Sequence, residues 1–174
     1  HISYSPKYLM KGFEMEFNTA FQFVPIDKRR TVSKPRKSGI TMVSDYQLGL
    51  ASLSDLIEVA GHYIDLFKIA TGTSRLFGKT HLQAKIEMLR ANDIRPFLGG
   101  QFQEYVIHTM GLDAMPRHLS EAQALGFDII EISDNMIQLG QGLRQQLFDM
   151  VRDQGMSPVG EIGDKRKSSS IMSI

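Results

Sequence analysis

Between Gly39 and Ile162, five short apolar runs recur at intervals of about 30 residues, separated by stretches with helical spacing. The runs begin near residues 40, 64, 94, 128 and 158. Helices are predicted over Ser52–Tyr63, Thr80–Asn92, Phe102–Met110, Leu119–Leu125 and Gln141–Gln154, with Gly155 as the C-cap of the last. The second of these puts Leu82, Ile86 and Leu89 on one face. Short apolar strands alternating with amphipathic helices imply a parallel sheet, because each crossover helix must cover the strands it connects. An open doubly wound sheet and a closed barrel both satisfy the pattern.

The pattern divides the chain into an N-terminal extension or linker, 1–38, a main domain, 39–165, and a short polar tail, 166–174. Six basic residues lie between Lys28 and Lys37. No aromatic residues interleave with them, so they read as a solvated linker rather than an anion-binding arm. The whole chain has 20 Lys+Arg against 19 Asp+Glu, a net charge of +1. That balance predicts no nucleic-acid and no membrane partner. With no cysteine, disulfides, thiolate nucleophiles and Cys-based metal sites are excluded. No apolar run approaches the roughly 18 residues of a membrane span. Glu14 and Glu16 interrupt the opening segment where a secretory signal would be apolar, and the expectation is a cytoplasmic protein. His62, His81, His108 and His118 show no metal-ligand spacing and are expected at the surface.

In a parallel α/β fold the reactive groups lie just past the carboxyl ends of the strands. Those ends are polar here: Asp45 after the first, Lys68 in the second with Arg75 beyond it, and Gly99-Gly100 after the third. Glu131, Ser133 and Asp134 follow in the fourth, and Glu161 and Lys165 in the fifth. Strand alternation puts Glu131 and Ser133 on one face. A carboxylate between Ile130 and Ile132, or an ammonium between Phe67 and Ile69, costs several kcal/mol to desolvate unless it is paired or metal-bound. Buried charges of both signs suit a polyanionic substrate with a divalent cation. A plain Lys68–Glu131 salt bridge is the structural alternative. Gly99 and Gly100 either bring backbone N–H groups onto an anion or make a tight turn.

These residues resemble those of the phosphosulfolactate synthase family. Gly39-Ile-Thr-Met-Val-Ser-Asp45 with Gly49-Leu50 resembles its first strand and loop, and Tyr63-Ile-Asp-Leu-Phe-Lys68 with Gly72-Thr-Ser-Arg75 its second. Phe97-Leu-Gly-Gly100 with Glu104 is similar to the third, Gly126-Phe-Asp-Ile-Ile-Glu-Ile-Ser-Asp134 to the fourth, and Glu161-Ile-Gly163 with Lys165 to the fifth. The resemblance implies a TIM (β/α)8 barrel, of which residues 39–165 would form about the first five βα units. It also implies a lyase that adds sulfite to phosphoenolpyruvate with Mg2+, giving (2R)-phospho-3-sulfolactate on the way to coenzyme M or sulfolactate. Its partners would be those small anions, with homo-oligomers or self-association where strands are missing.

Under that resemblance Glu131, Asp134 and Glu161 would hold the metal. Asp45, Lys68, Arg75, Gly99, Gly100 and Ser133 would bind substrate, and Lys165, with Lys68 second, would protonate carbon two. The family also includes plant heat-stress-associated proteins, so a non-catalytic homologue of the same fold is one alternative. Another barrel enzyme acting on a phosphorylated carboxylate is a further one. Three positions depart from the family pattern: Gln101 in place of a usual Thr, Asn135 in place of a common Gly, and Asp164 where many members carry Lys.

Overall fold

The computed structural model describes residues 20–25, 27, 29, 31, 33–161 and 163. The chain divides into two compact units, 1–30 and 31–174. In the first, the Val24 N–H closes a turn on the Phe21 carbonyl at 2.9 Å, and Asp27 pairs with Arg29 at 2.6 Å.

The second unit is α/β. Its elements run β1 (Met42–Asp45), α1 (Leu50–Ala60), β2 (Leu66–Ile69), α2 (Lys79–Ala91), β3 (Arg95–Leu98), α3 (Gly100–Met110), α4 (Met115–Leu125), β4 (Ile129–Ser133), α5 (Gln141–Asp153) and β5 (Ser157–Glu161). All neighbouring strands pair in parallel, in the order β1-β2-β3-β4-β5. Periodicity left open sheet and barrel open. A doubly wound sheet reverses its strand order at a switch point, and these five strands do not; their sequential order is consistent with a segment of a barrel. No described helix is long and apolar enough to cross a membrane.

The register gives the sheet two faces. Ser44, Lys68 and Phe97 are aligned across β1–β3, Phe97 pairs with Ile129, and Glu131 and Ser133 pair with Val159 and Glu161. Aligned residues point the same way, so these side chains share one face, here called inner. The outer face carries Phe67, Ile69, Leu98, Ile130 and Ile132, all buried under the helices. Leu82 and Ile86 of α2, Leu119 of α4 and Leu147 of α5 pack against it. Leu53 of α1 joins Phe67 and Leu89 in a second cluster.

Helix ends follow local chemistry. Pro116 occupies the first turn of α4, where its missing N–H has no helical partner to lose. Gly155 takes φ +74° after α5, and the Gly155 and Met156 N–H groups return to the Arg152 and Val151 carbonyls at 2.8 and 3.2 Å. That is the cap expected from the sequence.

The basic stretch expected to be solvated is partly built into the domain. Lys34 Nζ donates to the Gly61 carbonyl at 2.6 Å and to the Asn92 and Asp93 carbonyls. Burial lowers its pKa, with Asp65 opposing and Arg36 adding to the shift. Arg36 pairs with Asp65 at 2.8 Å with both side chains buried, and it also donates to the His62 carbonyl. Asp65 in turn accepts the Thr41 N–H at 2.9 Å. These cations satisfy carbonyls and a carboxylate at the amino ends of β2 and β3, so residues 34 and 36 belong to the domain rather than to a linker. Arg29 and Lys37 are exposed as expected, and Lys28 and Arg30 lie outside the described residues. The polar tail, 166–174, also lies outside them.

Candidate functional site

Lys68 and Glu131 meet on the inner face at the carboxyl ends of β2 and β4. Lys68 Nζ lies 2.8 Å from Glu131 Oε1 and 2.7 Å from Oε2. The Gly100 N–H, the first of α3, donates to Oε2 at 2.7 Å. The carboxylate therefore sits between an ammonium and a helix N-terminus, two positive groups that offset its desolvation. Lys68 Nζ also lies 5.7 Å from the Phe97 ring centroid, a further attraction for a cation.

The glycine pair makes this approach possible. A Cβ on Gly100 would fall 2.6 Å from Ser133 Cβ, and one on Gly99 would fall 3.1 Å from the Ile69 carbonyl oxygen. Neither takes a left-handed conformation; what they supply is room for α3 to begin directly against β2 and β4.

Beside this pair, Glu104 organises the loop after β4. Its buried carboxylate accepts the Ser133 hydroxyl and the N–H groups of Asn135, Met136 and Ile137, the last two at 2.6 and 2.8 Å. Gln103 Oε1 accepts the Ser133 N–H at 3.0 Å. Glu104 thus fixes the loop that follows Glu131. Glu104 was expected one turn into the helix after the third strand, with no role assigned to it. The available signal was spacing: Gly100, Gln103 and Glu104 lie on the buried side of α3, so a carboxylate there needed partners.

The remaining expected residues divide clearly. Glu161 lies on the inner face, aligned with Ser133. Ser133 is fully buried beside Glu131, but its hydroxyl is committed to Glu104 and to Asn135 Nδ2, the latter at 2.9 Å. Asp45 is turned to the outer face. Its carboxylate is buried against Lys85 of α2 and accepts the Gln47 and Leu48 N–H groups at 3.0 and 2.7 Å. This alternation in β1 removes Asp45 from the Lys68 face. Lys85 was missed, although Leu82, Lys85, Ile86 and Leu89 share the buried stripe of α2. Arg75 is exposed and lines a cavity between helices rather than the inner face. Lys165 lies outside the described residues.

The three carboxylates expected to share Mg2+ do not converge. Both Glu131 oxygens are engaged by Lys68 and Gly100, and Asp134 pairs with Arg144 of α5. Among the described residues no three of His, Asp and Glu are grouped to hold a metal ion. As placed, this donor set does not fit a three-carboxylate magnesium site.

Of the histidines, His108 is exposed as expected, while His62 and His81 are half-buried. His118 packs edge-on to Phe102 at 5.0 Å, and burial pushes its pKa down to about 4, with Glu121 opposing.

Residues 29–174 match the family model described as (2R)-phospho-3-sulfolactate synthase (ComA). A phosphosulfolactate synthase of Methanothermobacter thermautotrophicus is 36% identical over 132 residues, covering 76% of this chain and 50% of that protein. That of Methanocaldococcus jannaschii is 30% identical over 146 residues, covering 84% and 54%. Protein HEAT-STRESS-ASSOCIATED 32 of Arabidopsis thaliana is 24% identical over 126 residues, covering 71% and 43%. The chain spans about half the length of these relatives. With a family match over most of the chain, it belongs to the (2R)-phospho-3-sulfolactate synthase (ComA) family.

Proposed function

We propose that the full-length protein adds sulfite to phosphoenolpyruvate, giving (2R)-phospho-3-sulfolactate, on the inner face around Lys68. The observation that carries this reading is the Lys68–Glu131 pair set against the start of α3. In the reaction, sulfite sulfur bonds to the methylene carbon. The double-bond electrons move toward carbon two and its carboxylate, and carbon two then takes a proton. Two anions must be held together while negative charge builds, so a fixed ammonium lowers the barrier. Among the described residues of the site, Lys68 is the side-chain cation at the carboxyl ends of the strands on the inner face. Bound substrate would draw it from Glu131 toward a carboxylate or phosphate, and Glu131 would keep its hold on Gly100.

Lys68 is also the proton donor proposed from the described residues, with Lys165 the other candidate acid. Magnesium dependence is carried over from the family resemblance. No step here runs through the metal, because the described carboxylates do not make a site for it. The remaining strands of a (β/α)8 barrel would come from the half of a family-length protein that this chain does not span.

A second reading is favoured by one feature: Lys68 is already neutralised by Glu131. A non-catalytic, stress-associated protein of the same fold would keep such a pair as a structural bridge, and the Arabidopsis relative is named as heat-stress-associated. Phosphorus NMR of the purified full-length protein with phosphoenolpyruvate and sulfite, with and without Mg2+, decides between the two. A product resonance that grows as phosphoenolpyruvate disappears supports the synthase. A folded protein that forms no product under either condition contradicts it.

A further inference from the structure

A cavity of about 430 Å³ lies among the helices, lined in part by Leu98 of the sheet's outer face. Its size falls within the roughly 300–1,000 Å³ of small-molecule sites. Leu82, Leu98, Phe102 and Phe127 give it an apolar lining. Ser74 and His118 are among its lining residues, and Ser74 Oγ and His118 Nε2 are buried with no hydrogen-bond partner among the described residues. Native folds seldom leave buried polar atoms unpaired, because each costs about 1–3 kcal/mol. Both therefore hold hydrogen-bonding capacity that a bound molecule could use. The lining also contains Arg75 and Lys79, neither in an ion pair with any described residue, against one carboxylate, Glu121. Burial keeps His118 neutral near pH 7, with a pKa of about 4, so its ring retains one donor and one acceptor.

We propose that this cavity is a second ligand site, separate from the Lys68–Glu131 face, and that it takes a small organic acid. The apolar body lies against Leu82, Leu98 and Phe127, the acid group meets Arg75 and Lys79, and Ser74 and His118 bond its oxygens. The charge excess selects an anion, and the lining selects one with an apolar body rather than a bare phosphate. The site shares no residue with Lys68, Glu131 or the Gly99-Gly100 turn, so it stands whether or not the synthase reading holds.

The test uses hexanoate as the probe and hexan-1-ol as its neutral match. The His118 ring resonances of the full chain are followed by NMR, assigned by comparison with His118→Gln. The expected result is saturable movement of those resonances, with hexanoate binding at least tenfold tighter than hexan-1-ol. Arg75→Gln/Lys79→Gln abolishes that preference, and Leu125→Trp, which fills the cavity from its lining, abolishes binding. If Leu125→Trp does not fold, the charge-deleted double variant still decides. Absence of saturable movement, hexan-1-ol binding as well as hexanoate, or a preference that survives the double variant overturns the proposal.

Discussion

Asp45 and Lys85 are both fully buried, and each meets several partners. Besides Asp45, Lys85 Nζ donates to the Leu48 carbonyl at 2.6 Å and lies 4.6 Å from the Phe77 ring centroid. Removing one partner of such a pair strands the other charge in the interior. Lys85→Met is expected to cost about 3–5 kcal/mol, and a further Asp45→Asn to recover part of it. Urea denaturation of the single and double variants checks this. A charge at the end of β1 was legible, but its direction was not. Strand alternation gives faces only once the register is known, and the buried lysine that claims Asp45 comes from another element.

His118 gives the fold a dependence on acid. Its folded pKa is depressed from 6.5 to about 4, because burial disfavours the imidazolium. Above pH 6.5 the ring is neutral in both states and adds nothing. As pH falls toward 4 the unfolded chain takes a proton that the folded chain refuses, and stability drops by up to about 3 kcal/mol. Below that the loss levels off. His118→Gln should flatten this part of the stability profile measured by thermal melts from pH 7 to 4. Its place just before a predicted helix, with no metal-ligand spacing, made it look exposed; its side chain instead enters the space beside Phe102.

At the scale of elements, Glu104 couples α3 to the loop after β4. Glu104→Gln keeps the shape but removes the charge that gathers the Ser133 hydroxyl and three backbone N–H groups. Hydrogen bonds to a charged group contribute roughly 1.5–3 kcal/mol, so the loop should open more often. Hydrogen exchange at Asn135, Met136 and Ile137 is expected to accelerate at least tenfold, while exchange in α5 changes little. The elements themselves were largely legible, because a period of two or of 3.6 is a local property. The predicted helix over 141–154 ends within a residue of α5. The starts of α3 and α4 were placed late, since glycines and Pro116 open those helices without apolar periodicity. The loop held by Glu104 was not legible, because its anchor lies about 30 residues away in the chain.

At the scale of the whole molecule, the five-stranded sheet has two edges and one partly bare face. Among the described residues β1 and β5 each pair on one side only, and Met42 and Val159 of the inner face are 47% and 37% exposed. Unpaired strand edges beside exposed apolar residues promote association. The 174-residue chain expressed alone is expected to self-associate, read as a mass above 19.6 kDa by sedimentation at micromolar concentration. A strictly monomeric chain would contradict this. The most direct test of the central claim, that chemistry takes place at Lys68 on the inner face, is the turnover of Lys68→Met in the full-length protein. Sulfite addition to phosphoenolpyruvate is measured for it and for the unaltered protein, with melting curves to establish that both are folded. The expected result is a fall in kcat/KM of at least about 100-fold, equivalent to about 2.7 kcal/mol of lost transition-state stabilisation. A folded Lys68→Met protein that turns over at the unaltered rate would contradict the account.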